Sequence, residues 1–195
     1  MSHFRAEITS NTLVDYPRLE MLTNFMEETE YIPGLIAEVG VYKGGTAYLI
    51  CELNEAREMP RPVVLFDTFT GMPQTSSFYD LHKEGDFNDT SLVLVKNLLK
   101  PYPETIICQG LFPTVHGKTF KECTFSFVHL DCDIYSSVFN SLEYFYPKMS
   151  PGGIIVLDDY NEPNCPGAKK AADEFFLYKK QKVCLTTQSQ AFVRI

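Results

Sequence analysis

The sequence lacks the short motifs that mark several common classes of protein. Its 195 residues contain no complete G-x-x-x-x-G-K-[ST] phosphate loop and no G-x-G-x-x-G dinucleotide pattern, which argues against a nucleotide hydrolase and an NAD-dependent oxidoreductase. Basic residues are also in the minority, because 17 Lys and Arg face 25 Asp and Glu, for a formal net charge of −8. Without a basic stripe to offset that charge, a nucleic-acid partner is not expected.

Signals for secretion and membrane insertion are absent as well. The amino terminus, MSHFRAEITSN, has no apolar signal core, and no apolar run is long enough to span a bilayer. Six cysteines, at positions 51, 108, 123, 132, 165 and 184, form no C-x-x-C pair and no Cys/His zinc spacing. We therefore expect reduced core cysteines in a cytoplasmic protein that has no membrane partner.

Apolar runs alternate with helical stretches along the chain, which predicts an α/β fold. With 45% hydrophobic residues, residues 1–195 are expected to form a single domain. Helices are predicted at 14–29, 47–57 and 136–146. Strands are predicted at 35–41, 63–68, 105–109, 125–130, 153–157, 182–187 and 191–195. The last two strands are separated only by residues 188–190, which predicts an antiparallel hairpin.

Four aspartates lie at the ends of two predicted strands. Asp131 and Asp133 follow the apolar run FSFVHL, and Asp158 and Asp159 follow GIIVL. Such continuous apolar runs are typical of parallel strands covered on both faces, and ligands bind at the carboxyl ends of these strands. Two carboxylates about 4 Å apart repel by roughly 4 kcal/mol at an effective dielectric of 20, so a cluster needs protons or a cation. Helix capping explains one aspartate of each pair, and Mg²⁺ explains both.

A glycine-rich turn follows the first predicted strand. The segment EVGVYKGGT runs from Glu38 to Thr46, and its glycines allow the backbone to approach a ligand closely. The helix that follows offers free amides to an anion. Asp67 ends the next predicted strand, where an acidic side chain accepts hydrogen bonds from ribose hydroxyls in doubly wound folds. This pattern favours a nucleotide-like ligand that has no pyrophosphate.

Two further features have more than one interpretation. His129 lies on the same side of its strand as Asp131, where a packed, hydrogen-bonded histidine is more common than a catalytic base. Residues 70–90 are polar and aromatic without a clear period, and such segments are either functional or partly ordered surface loops. We favour a lid over the site, in which Tyr79, His82 and Asp86 are the side chains of interest.

Six blocks of the sequence resemble the macrocin O-methyltransferase (TylF-like) family. They are EVGVYKGGT, LFDTFTGMP, HKEGDFNDT, GLFPT, HLDCDIYSS and SPGGIIVLDDY, in family order over roughly residues 14–176. The resemblance implies a Rossmann-like class I methyltransferase fold, with a seven-stranded, mostly parallel sheet of strand order 3-2-1-4-5-7-6 and helices on both faces. It also implies S-adenosylmethionine (SAM) as methyl donor, Mg²⁺, and a small-molecule hydroxyl acceptor on a sugar or natural-product scaffold.

The same resemblance implies roles for individual residues. Asp131, Asp158 and Asp159 would hold the metal, and either Asp131 or Asp133 would take the proton of the acceptor hydroxyl. The choice between these two bases stays open. The residues expected to bind the cofactor are Glu38, Gly40, Tyr42, Gly44, Thr46, Asp67, Thr68, Asp86, Gly110 and Leu111.

The chain departs from the family in its short amino terminus. We therefore expect an open acceptor pocket, or a homodimer in which the partner subunit completes the pocket. Two alternative functions compete with the methyltransferase. A metal-dependent glycosyltransferase could use Asp131-Cys132-Asp133 as a D-x-D motif, but would need neither the second aspartate pair nor the glycine turn. A non-catalytic SAM-binding protein would keep the turn and lose the metal carboxylates.

Overall fold

One mixed seven-stranded sheet forms the centre of the computed structural model, which describes residues 4–186 and 189–195. The strands are β1 (Leu35–Val39), β2 (Val63–Asp67), β3 (Ile106–Gln109), β4 (Phe125–Leu130), β5 (Met149–Leu157), β6 (Cys184–Leu185) and β7 (Ala191–Arg194). Their order is β3-β2-β1-β4-β5-β7-β6, and β7 runs antiparallel to both of its neighbours. The predicted fold class and strand order are therefore confirmed.

Helices cover both faces of this sheet. They are α1 (Ala6–Thr9), α2 (Tyr16–Glu28), α3 (Gly45–Glu55), α4 (Leu92–Leu98), α5 (Tyr135–Phe145) and α6 (Pro166–Phe176), and a 3-10 turn spans Tyr146–Lys148. Within the described ranges, no helix combines the length and apolarity needed to cross a membrane.

Two apolar layers hold the helices against the sheet. On one face, helices α1 to α4 pack on strand residues such as Ile36 and Phe127. On the other face, α5 and α6 pack on residues such as Val128 and Leu130. All six residues of β4 are buried because this strand lies near the middle of the sheet and is covered on both sides.

Most predicted boundaries differ from the observed ones by a few residues. Strand β6 is shorter than the predicted strand 182–187, although its antiparallel pairing with β7 is confirmed. Residues 187 and 188, which fall in that predicted strand and turn, lie outside the described residues. Helices α1 and α4 were not predicted, since α1 has only four residues and α4 only seven, too few for a clear helical period.

The parallel register brings three strand ends to one level. Val39 pairs with Leu130, and Leu130 pairs with Leu157, so Gly40, Asp131 and Asp158 follow at the same edge of the sheet. The ladder continues through that edge, because the Asp131 amide donates to the Val39 carbonyl and the Asp158 amide to the Leu130 carbonyl, each at 2.9 Å. Sheet topology alone therefore gathers the glycine turn and both aspartate pairs.

Candidate active site

A cavity of about 350 Å³ opens at the carboxyl ends of the parallel strands. Its wall contains most of the residues that the sequence pointed to. The predicted residues in the wall are Gly40, Tyr42, Thr46, Asp67, Thr68, Gly110, Leu111, Asp131, Asp133, Asp158 and Asp159. Parts of the chain more than 100 residues apart in sequence therefore meet in one site.

Three residues predicted to bind the cofactor lie outside the cavity wall. Glu38 is fully buried one residue before the sheet edge and faces a histidine of β4. Gly44 has a φ of 93° and turns towards α4, where an added Cβ would lie 3.2 Å from Leu98. Asp86 makes a local contact within its own loop, where its carboxylate accepts the amide of Lys83 at 2.9 Å. The positions of these three residues therefore do not support direct contacts with the cofactor.

Close backbone contact explains the glycine that begins the turn. Gly40 has a φ of 87°, and a Cβ at this position would lie 1.7 Å from the carbonyl oxygen of Asp131. Glycine is needed here because any side chain would collide with the backbone that carries the aspartate.

Asp67 shapes the glycine turn from the next strand. One carboxylate oxygen, Oδ2, accepts the amides of Val41 at 2.7 Å and Tyr42 at 2.9 Å, and Oδ1 accepts the amide of Phe69 at 2.6 Å. Tyr42 and Phe69 both have left-handed backbones, with φ of 52° and 54°. The carboxylate thus stabilises two strained turns at the cavity wall. Its predicted contact with a ribose remains a prediction.

The segment 70–90, expected to be a lid and called the lid segment below, is a loop whose two ends are joined by hydrogen bonds. The Met72 amide donates to the Asp86 carbonyl at 2.7 Å, and the Gly85 amide donates to the Met72 carbonyl at 3.0 Å. His82 and Phe87 of this loop line the cavity. The lid segment therefore forms part of the site wall.

The tip of the lid segment docks on α5. Asp80 Oδ1 accepts the amide of Tyr135, the first residue of α5, at 2.8 Å, and Oδ2 accepts the amide of Ser76 at 2.9 Å. The rings of Tyr79 and Tyr135 lie 4.7 Å apart. A carboxylate at a helix start satisfies an amide that has no partner within the helix, so Asp80 caps α5 from a distance.

Three carboxylates of the two aspartate pairs converge in the cavity. Ligand oxygens of Asp131, Asp133 and Asp159 lie within 4.8 Å of one another. Burial, followed by the charges of neighbouring carboxylates, raises the pKa of Asp131 and of Asp159 well above the ordinary value. The Oδ2 atom of Asp159 is buried and has no hydrogen-bond partner among the described residues. An all-oxygen donor set with an unpaired buried oxygen fits a hard divalent cation.

Asp158 has different surroundings from its neighbour. Its Oδ1 accepts from Gln190 Nε2 at 2.8 Å and lies 3.3 Å from His129 Nε2, and its Oδ2 accepts from Arg18 Nη1. Burial acts to raise the pKa of this carboxyl, but the contacts with His129 and Arg18 outweigh it and lower the pKa. Asp158 is therefore ionised and already satisfied by three donors.

His129 links the two strands beneath the cavity. Its Nδ1 lies 2.9 Å from Glu38 Oε1, its Nε2 faces Asp158, and the side chain is fully buried. Burial opposes a charge on the ring, but hydrogen bonds to Asp158 and Glu38 raise its pKa to about 10. Both ring nitrogens are engaged, which confirms the packed, hydrogen-bonded histidine expected from the sequence.

Asp133 is separated from this network and faces the lid segment. Its backbone is left-handed, with a φ of 57°, and its Oδ1 accepts from Cys165 Sγ at 3.4 Å. The thiol of Cys165 in turn lies 3.6 Å from Nε2 of His82. Burial raises the pKa of Asp133, which brings this carboxylate closer to the range of an efficient proton acceptor.

Arg18 is the functional residue that the sequence interpretation missed. It lies on α2, yet its guanidinium lines the cavity, donates to Asp158 and lies 3.6 Å from Asp159 Oδ1. The sequence holds no local signal for this contact, because Arg18 and Asp158 are 140 residues apart and meet only through the strand order.

Comparisons with known proteins show which enzymes this chain is similar to. The family model described as Macrocin-O-methyltransferase (TylF) matches residues 7–187. Demethyldecarbamoylnovobiocin O-methyltransferase of Streptomyces niveus is 27% identical over 85% of this chain and 68% of its own length. Mycinamicin III 3''-O-methyltransferase of Micromonospora griseorubida is 26% identical over 80% of this chain and 67% of its own length.

Solved structures show the same fold. The O-methyltransferase NovP is similar with a TM-score of 0.78 and 25% identity, covering 94% of this chain and 81% of its own. The calicheamicin methyltransferase CalS11 is similar with a TM-score of 0.82 and 20% identity, covering 91% of this chain and 78% of its own.

Proposed function

Since the chain belongs to the macrocin O-methyltransferase (TylF) family, we propose that it moves the methyl group of SAM to a hydroxyl of a sugar or other natural-product scaffold. The observation that carries this proposal is the convergence of the glycine turn and both aspartate pairs in one cavity. The relatives support the acceptor class, since one is named for demethyldecarbamoylnovobiocin and another for mycinamicin III.

We place SAM along the ends of β1 and β2. Gly40 leaves the backbone open at the turn, and Thr68 and Gly110 line the wall beside it. Asp67 fixes the backbone of the glycine turn through hydrogen bonds to two amides. Its effect on cofactor binding therefore acts partly through that backbone. This arrangement puts the donor beside the carboxylates that receive the acceptor.

The reaction also needs the acceptor hydroxyl to lose its proton. We propose that Asp131 and Asp159 hold Mg²⁺, which as a Lewis acid would lower the pKa of that hydroxyl. Asp133 then takes the proton, because its carboxylate lies beside the metal ligands and its pKa is raised by burial. Asp158 remains a predicted ligand, and in that role it would have to share Oδ2 with Arg18.

We propose that the lid segment excludes water from this transfer. His82 and Phe87 already form part of the wall, and the docked tip holds them there. Water exclusion strengthens electrostatic interactions inside the site and prevents loss of the activated methyl group to solvent.

The decisive experiment is a calorimetric titration of the purified protein with S-adenosylhomocysteine (SAH), with and without Mg²⁺. Micromolar binding supports the donor site and leads to a screen of sugar and phenol acceptors for methylation. Absence of binding in both conditions contradicts the proposal, and the D-x-D glycosyltransferase would then be tested with nucleotide sugars and Mn²⁺.

A double variant separates the enzyme from a non-catalytic SAM-binding protein. Asp158→Ala with Asp159→Ala is expected to keep SAH binding and to lose metal binding and methyl transfer. The matched control is Asp173→Ala, which removes a half-exposed carboxylate that accepts from Tyr160 on the surface of α6. Unchanged transfer in the double variant would show that the metal mechanism is wrong.

A further inference from the structure

Arg18 joins the amino-terminal part of the chain to the carboxylates of the proposed metal site. Its side chain is only 12% exposed, and its Nη1 contacts both Asp158 Oδ2 and, at 3.6 Å, Asp159 Oδ1. Burial acts against the charge of Arg18, but Asp158 and then Asp131 raise its pKa, so the guanidinium remains positive. A permanent cation therefore stands at the edge of the carboxylate cluster.

The guanidinium is fixed from behind as well. Asp15 Oδ1 accepts from Arg18 Nε at 3.2 Å, and the Leu13 carbonyl accepts from Arg18 Nη2 at 3.3 Å. Asp15 also caps α2, since the same oxygen accepts the Arg18 amide at 3.1 Å. The charge is thus anchored at a helix start, which limits its ability to move away when another cation enters.

A divalent cation in this site would face Arg18 across the same oxygens. Asp158 Oδ2 is occupied by the guanidinium, and Asp159 contacts it through Oδ1. The unpaired oxygen of Asp159, Oδ2, is left for the metal. Like charges this close repel strongly in a buried site, where water does not screen them.

Resting on the proposed function, we infer that Arg18 is a positioning residue that competes with the metal for the Asp158–Asp159 pair. Its charge holds Asp158 in place while the site is without metal. The same charge lowers the affinity of the site for the metal. The metal consequently remains exchangeable, although three carboxylates converge at its position.

The test is Mn²⁺ binding to the full chain, measured by calorimetry and by the electron paramagnetic resonance signal of free Mn²⁺. Arg18→Met and Arg18→Gln remove the charge and are expected to bind Mn²⁺ at least tenfold more tightly than the wild type, because one repelling cation is gone. Arg18→Lys keeps the charge and is expected to stay within threefold of the wild type. Arg5→Met is the control, since it removes a mostly exposed arginine that pairs with Glu52.

The direction of the change distinguishes competition from damage to the fold. A variant with a disordered site would bind Mn²⁺ more weakly, whereas competition predicts tighter binding, and thermal unfolding in EDTA identifies any variant that has lost its structure. Unchanged or weaker binding by folded Arg18→Met or Arg18→Gln overturns the inference and leaves the proposed function intact. Failure of the wild type to bind Mn²⁺ overturns both the inference and the metal part of the function, and SAH binding then tests the donor site alone.

Discussion

Asp131 and Asp133 are two residues apart but contact different groups. The pKa of Asp131 is raised by burial and then by the charges of Asp158 and Asp159, the second aspartate pair. Asp133 has turned through a left-handed backbone towards His82 and Cys165. From these surroundings we propose that Asp131 holds the metal and Asp133 takes the proton, a choice that the D-x-D spacing leaves open.

Asp133→Asn is expected to keep SAH and Mn²⁺ affinity within threefold of the wild type. Methyl transfer should fall by about 10²–10⁴-fold, the usual contribution of a positioned general base. Asp131→Asn should instead lose Mn²⁺ binding. Calorimetry and single-turnover methylation of an acceptor found by screening measure both effects, and equal losses of metal binding in the two variants would contradict the assignment.

The cysteines should differ strongly in their reactivity towards alkylating reagents. Burial raises the pKa of Cys51 to about 12, and it also raises the pKa of Cys108, Cys132 and Cys165. Cys184 is exposed on β6. Because the thiolate is the reactive form, iodoacetamide at pH 8 should modify Cys184 first and these four only after unfolding. Peptide mass spectrometry at timed intervals tests this order, and early modification of Cys165 would contradict it.

For individual residues, sequence patterns located the carboxylates and the glycine turn. They did not predict the orientation of side chains that is set by contacts with distant parts of the chain. The end of a continuous apolar run identified Asp131 and Asp158 directly. Glu38 was expected to reach the ligand, yet it lies one residue before the sheet edge and pairs with His129. Arg18 could not be found, since helical periodicity describes a helix face and says nothing about which distant strand end it meets.

Among the larger elements, the tip of the lid segment is attached to α5 through the carboxylate of Asp80. Asp80 is buried, binds the start of α5 and lies beside α6, where a Cβ added to Gly167 would come 2.0 Å from its Oδ1. Helices α5 and α6 follow β4 and β5, which carry the two aspartate pairs. The docking of the lid segment is therefore tied to the elements that position the metal ligands.

Asp80→Ala is expected to lower the free energy of unfolding by about 1–2 kcal/mol, as loss of a helix cap does. It should also release the tip of the lid segment, so that limited proteolysis cuts within residues 74–84 faster than in the wild type. Asp80→Asn keeps one acceptor oxygen and should have a smaller effect on both. Identical cleavage rates in Asp80→Ala and the wild type would show that the ring contacts alone hold the tip.

The predictability of an element followed the strength of its apolar pattern. Strands β1, β2 and β4 begin at the predicted residues because their apolar runs are buried on both faces. Helix α6 was not located, since its buried face consists largely of small residues such as Ala168, Ala171 and Ala172, which give a weak hydrophobic signal. Strand β6 was overestimated because it is an exposed edge strand of two residues.

For the whole molecule, one sheet shared by two apolar layers predicts a single unfolding event. Strands β1 and β4 contribute residues to both layers, so neither layer is complete without the other. The prediction that residues 1–195 form one domain therefore has a physical basis. The expected homodimer remains a prediction, and light scattering on the 22.2 kDa chain measures it directly.

Urea unfolding should give one cooperative transition with the same midpoint by circular dichroism and by tyrosine fluorescence. SAH at about 100 times its dissociation constant should raise the free energy of unfolding by about 2.7 kcal/mol, because it binds only the folded state. Separate midpoints for the two probes would contradict a single domain. An SAH effect that is equal in Asp133→Asn would agree with a base that does not hold the cofactor.

The exposed tip of the lid segment offers a spectroscopic use. The chain has no tryptophan, so the fluorescence of a tryptophan introduced there would have no background from other tryptophans. Phe78 is 91% exposed and next to Tyr79, which stacks on α5. Phe78→Trp would place one red-shifted fluorophore at the docking point, and its anisotropy would report any release of the tip from α5 in real time, with no need to know the acceptor.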